Sequence, residues 1–110
     1  MVYVRTYSRT TQEALALMGG QIRLARKQRR MSEAELAERI GIARSTLQLI
    51  EKGSAKAEIG LVFEAAHLVG VPLFVPEPSA LAAQIARVED KLALLPSSIR
   101  RPRTEVKDDF

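Results

Sequence analysis

The sequence predicts an all-α fold. Apolar residues recur at helical spacing over most of the chain. Gly41 and Gly53 follow short helical patterns, where glycine commonly ends a helix. Pro76, Pro78 and Pro96 fall at the edges of such patterns and interrupt none of them.

At the N-terminus Val2, Val4 and Thr6 alternate with Tyr3, Arg5 and Tyr7, the pattern of a short strand or an ordered arm. Thr10 and Glu13 have capping-box spacing and predict the start of a helix. Leu15, Met18, Ile22 and Ala25 give that helix one apolar face, running to about Arg30. Gly19-Gly20 lies inside it. Each glycine costs about 1 kcal/mol against alanine in a helix, so a kink, a break or a close packing contact is expected there.

Ser32 and Glu35 form a second capping box. Leu36, Ala37 and Ile40 face inward over a short helix, Gly41 stops it, and Ile42 packs the turn. A further helix runs from about Ala43 to Lys52 with Leu47 and Ile50 buried, and Gly53 ends it. After a loop, Glu58 to Val69 reads as an apolar helix with Ile59, Val62, Phe63, Ala66 and Val69 in the core. Val71 to Val75 reads as extended, being β-branched and aromatic with Pro72 against helix. Ser79 to Leu95 is helical again, with Leu81, Ile85, Val88, Leu92 and Leu95 on a heptad-type seam. Ser97 to Phe110 has little apolar content and is not expected to fold alone.

Bulk composition excludes several classes. The 110 residues suffice for one small domain with appendages, and 46% hydrophobic residues put a packed core within reach. There is no cysteine, so neither a disulfide framework nor a thiolate metal site can form. Residues 1–6 carry no apolar signal core, and Leu68 to Val75 is too short an apolar run to span a bilayer. A cytoplasmic protein without membrane contact is expected. Glu64 and the single His67 superficially resemble a metal pair, but with no second such motif a structural histidine is expected, and no metal or cofactor. No nucleophile elbow or phosphate loop frames the Ser, His and Asp residues, so no catalytic residue is assigned and no enzyme is expected.

The stretch Ser32 to Gly53 carries the functional reading. Two short helices with a glycine between them can place the second in the DNA major groove. Ala37 lets the helices approach, and Leu47 and Ile50 anchor the second. Its outward positions are Arg44, Ser45, Gln48 and Leu49, with Thr46 on a flank. Arg44 can donate two bonds to a guanine edge or contact a phosphate. Gln48 can bond adenine, and Ser45 or Thr46 a base or a phosphate. Lys52 and Lys56 would neutralise backbone charge. Leu49 is either a thymine-methyl contact or a surface leucine. The net charge of +4 is compatible with nucleic acid without requiring it. The plain alternative is an αα-hairpin in a structural bundle.

Gly20-Gln21-Ile22-Arg23 through Gly53 resembles the Xre, or phage-repressor-like, helix-turn-helix family. The residues that carry the resemblance are Gly20, Ile22, Arg26, Ser32, Glu35, Leu36, Ala37, Gly41, Leu47, Glu51 and Gly53, and Gly60 to Phe74 extends it as the following helix. The resemblance implies a lambda-repressor-like bundle of about five helices, here with an extra C-terminal helix. It also implies binding of a homodimer to a palindromic operator in double-stranded DNA. In that family pattern Arg26 pairs with Glu51 beneath the second motif helix and points toward a phosphate, and Ser32 joins the DNA-contacting set. Two positions depart from the pattern. Glu33 stands where the family often has Gln, and would repel a phosphate. Ala43 stands where Ser or Thr is usual, and is a poor N-cap.

Tyr7 to Thr10, Glu13 to Leu17, Glu58 to Glu64 and Val88 to Pro96 look like the HipB-type branch of that family. That resemblance implies an antitoxin of a type II toxin-antitoxin module that binds its own operator and restrains a HipA-type Ser/Thr kinase. It also makes Val71 to Val75 the candidate for a short dimer-forming strand. A stand-alone Xre-family regulator is the alternative. The seam of Leu81 to Leu95 can dimerise, pack on the bundle or bind a partner, with packing in the same dimer preferred. The expected organisation is an N-terminal extension and helix start over 1–18, the DNA-binding domain over 19–76, a C-terminal helix over 77–96 and a flexible tail over 97–110.

Overall fold

Short polar side chains and glycines set the helix boundaries. The computed structural model describes residues 5–99. Helix α1 spans Arg9–Gln28, α2 Glu33–Ile40, α3 Arg44–Glu51, α4 Ile59–Leu68 and α5 Leu81–Ala93. Among the described residues there is no strand, only an isolated antiparallel bridge between Leu73 and Val75. The all-helical expectation holds, including the extra C-terminal helix. The chain divides into two compact units, one through Pro76 and one from Glu77. Val2, Val4 and the chain from Arg100 onward lie outside the described residues.

The cap of α1 corrects the sequence reading. Ser8, in extended conformation, accepts from the Thr11 N–H at 3.2 Å, and Thr10 is already helical. The capping box of α2 forms as expected. The Ser32 Oγ accepts from the Glu35 N–H at 3.1 Å, and Glu35 Oε1 accepts from the Ser32 N–H at 2.9 Å. That backbone bond, with the Ser32 hydroxyl behind it, holds the Glu35 carboxyl below the usual carboxylate range. Gly41 closes α2 at φ +86°, a conformation that costs side-chain-bearing residues about 1–2 kcal/mol. No side chain caps α3 at Ala43, which forgoes about 0.5–2 kcal/mol.

Ile22 of α1, Leu36 and Ala37 of α2, Leu47 and Ile50 of α3, Ala65 and Ala66 of α4, and Val69 form the buried core. Met18, Ala25, Ile40, Ile42 and Val62 pack around it. Ile59 does not join it: the residue is 69% exposed, and Ala65 is buried instead. Helix α4 is apolar nearly all round, so its sequence carries little information on which face turns inward.

Helix α1 runs unbroken through Gly19-Gly20 because Gly19 is a packing contact. A Cβ there would lie 2.5 Å from the Ile50 carbonyl oxygen and 2.7 Å from that of Glu51. Gly53 meets α1 from the other side: its Cβ would lie 2.7 Å from the Leu15 carbonyl oxygen. Backbone thus approaches backbone where α1 crosses the end of α3.

The segment after α4 is not extended as expected. Phe74 sits at φ +67° and the Val75 N–H donates to the Leu73 carbonyl at 2.7 Å, which is a tight γ-turn. Its ring packs edge-on against Phe63, with centroids 5.9 Å apart. From Glu77 the chain makes a 3₁₀ turn, Pro78–Ala80, and enters α5. The seam residues Ile85, Val88, Leu92 and Leu95 are exposed, and no residue of α5 is buried.

The glycine pair separates packing from propensity. Gly19→Ala is expected to lower stability by about 2 kcal/mol or more, since its Cβ meets backbone that cannot give way. Gly20→Ala, with nothing within 4 Å, is expected to raise it by about 1 kcal/mol. Urea unfolding of the two variants checks the contrast; equal effects would contradict the close approach.

Candidate nucleic-acid interface

The orientation of α3 rests on a buried ion pair. Arg26 lies in the last turns of α1, and Glu51 is the last residue of α3. The Arg26 Nε donates to Glu51 Oε2 at 2.7 Å and Nη2 donates to Oε1 at 2.9 Å, a fork on a fork. Nη1 donates to the Met31 carbonyl at 2.9 Å. The two residues are only 5% and 8% exposed. The hydrogen bonding that Arg26 donates to Glu51 outweighs burial and raises the Arg26 pKa above its ordinary value, so the guanidinium keeps its charge. Arg26 thus holds the end of α3 through Glu51, and, though largely buried, it also lines a surface hollow with Arg23, Lys27 and Arg44.

With its inner face fixed by Leu47, Ile50 and Glu51, α3 turns a polar face outward. Arg44 and Ser45 are exposed there, with Leu49 beside them, and Thr46 and Gln48 are half-buried. Ala43 gives the first N–H groups of α3 no side-chain cap. Lys52 follows as the C-cap residue, and Lys56 lies exposed in the next loop. Ser32 is exposed at the start of α2, its oxygen engaged as the cap. The structure therefore gathers Ser32, Arg44, Ser45, Gln48 and Lys52 around the α2–α3 pair.

Sequence reasoning missed part of this surface. Arg23 and Lys27 of α1 line a surface hollow of about 350 Å³ with Ser32, Glu33 and Arg44. Arg23 also lines a second, of about 310 Å³, with Glu33, Gln48 and Lys52. The signal was present: Arg23 and Lys27 are four residues apart, hence on one helix face. Besides carrying a charge that repels phosphate, Glu33 holds two side chains of α3, its Oε1 accepting from Arg44 Nε at 2.8 Å and from Gln48 Nε2 at 3.1 Å. The bond from Arg44, then that from Gln48, holds its carboxyl below the usual range.

His67 is exposed on α4 rather than placed in the core. Among the described residues no group of acidic and histidine side chains stands together as a metal site, and no helix is long and apolar enough to cross a membrane.

Arg26→Lys replaces a planar fork with a point charge that cannot hold both Glu51 oxygens and Met31. The expected loss is about 1.5–3 kcal/mol, read by urea unfolding. A change below about 0.5 kcal/mol would mean that the fork geometry carries no weight.

No curated protein and no solved structure matches the chain significantly. Residues 22–75, from the middle of α1 to the turn after α4, match the model of the Helix-turn-helix family, the Xre-like form of that motif.

Proposed function

We propose that the chain is a sequence-specific DNA-binding transcriptional repressor that reads the major groove with α3. One observation carries the reading. The outward face of α3 presents Arg44, Ser45 and Gln48, while a buried ion pair fixes its inner face to α1. Arg23, Lys27 and Lys52 surround that face with positive charge suited to phosphates. A match to the helix-turn-helix family points the same way, toward a DNA-binding regulator.

In this reading two copies bind a palindrome, their α3 helices about 34 Å apart, one turn of DNA. Arg44 donates to a guanine edge and Gln48 pairs with adenine. Lys52 and Lys56 contact the DNA backbone, joined by Ser32, and Ser45 and Thr46 contact a base or a phosphate. Within this class the antitoxin role rests on the flanking segments that look like the HipB-type branch. The protein then represses its own operon and restrains a HipA-type kinase. Co-expression decides it: a neighbouring kinase gene toxic alone and harmless with this chain supports the role. A gene with no such neighbour, and no kinase that co-purifies, leaves a stand-alone regulator.

Gel shifts on the DNA upstream of the gene test the primary reading. The logarithm of affinity should fall linearly with the logarithm of salt, by about 0.9 per phosphate neutralised. Arg44→Ala should relax base preference at one position of each half-site. Equal weakening on every operator variant would make Arg44 a phosphate contact, and no sequence-selective binding would sink the proposal.

A further inference from the structure

We infer that Glu33 determines which bases this interface reads, by clamping the two side chains of α3 best suited to base edges. The inference rests on the DNA-binding reading above and assigns a role to a residue outside α3 itself. Glu33 is the first residue of α2, and its side chain is 26% exposed. Its Oε1 takes the Nε–H of Arg44 and one N–H of Gln48, while Oε2 lies 4.0 Å from Arg26 Nη2. One carboxylate therefore ties the buried brace of α3 to its outward face.

Each contact removes a choice. A free guanidinium has two donor edges, one of which includes Nε. With Nε spent on Glu33, Arg44 must meet a guanine through Nη1 and Nη2, which no other described residue engages. A free glutamine amide can rotate to exchange donor and acceptor. With one N–H spent on Glu33, the Gln48 amide is held in one sense. It retains one donor and one acceptor, the pair that adenine N7 and N6 require. Ordering both side chains before binding lowers the entropy lost on contact.

The carboxylate also acts on the wrong sequences. It subtracts one charge from a face otherwise ringed by Arg23, Lys27 and Lys52. Affinity driven by phosphates alone falls with that charge, whatever the base sequence. Glu33 thus weakens indiscriminate binding while ordering the groups that discriminate.

Selection from a random duplex library, followed by titration of the selected and a scrambled duplex at fixed salt, tests the inference. Glu33→Ala should bind the scrambled duplex more tightly and lose about tenfold or more in the ratio of selected to scrambled affinity. Glu33→Gln keeps an acceptor for Arg44 without the charge. It should bind the scrambled duplex more tightly while retaining most of the preference. If both variants select the wild-type sequence with an unchanged ratio, the clamp has no role in reading and the inference falls. A wild-type chain that prefers no duplex would overturn the DNA-binding reading, and this inference with it.

Discussion

The fork-on-fork pair of Arg26 and Glu51 is the constraint on which the rest of the bundle depends. An ion pair this enclosed gives up several kcal/mol of hydration per charge, and only close geometry with further hydrogen bonds recovers it. Both conditions are met: two bonds of 2.7 and 2.9 Å join the pair, and Nη1 is satisfied by Met31. The same turn ties backbone to side chain, because the Met31 N–H donates to the Arg26 carbonyl at 3.1 Å. Arg30 makes the turn possible by adopting φ +58°. The brace and the end of α1 are therefore one unit.

A second contact keeps α3 from pivoting about that pair. Gly19 and Gly53 bring the backbone of α1 against the end of α3 with no room for a Cβ at either position. Charge sets the pairing partner, and close backbone approach sets the distance. Leu47 and Ile50 then fill the space between α3 and the core. What remains outside is the other face of a short helix whose C-terminal end is held against α1, with Arg44, Ser45 and Gln48 turned to solvent or half-buried. Glu33 extends the constraint outward, since its carboxylate lies between Arg26 and the side chains of Arg44 and Gln48.

Local rules made much of this legible in the sequence. Ser32 with Glu35, and Gly41 at its left-handed position, follow from hydrogen bonds and sterics within a few residues. The misreadings arose where neighbouring residues give the same local signal. Thr10 and Glu13 have capping spacing, yet Ser8 lies two residues earlier and takes the role. Helix α4 is apolar on most sides, so Ile59 looked as eligible for the core as Ala65. Val71 to Val75 has strand composition, but a positive φ at Phe74 folds it into a tight turn that composition does not encode. The clamp of Glu33 on Arg44 joins residues eleven apart, and only the packing of α2 on α3 brings them together.

A double-mutant cycle on Arg26 and Glu51, measured by equilibrium urea unfolding, tests the central claim most directly. Arg26→Met and Glu51→Leu should each cost about 3–5 kcal/mol, because each leaves an uncompensated buried charge. The double variant should cost far less than their sum, since an apolar pair of similar volume is often neutral in such a site. Costs that simply add, within about 0.5 kcal/mol, would show that the two residues do not act as a pair and that α3 is held by something else.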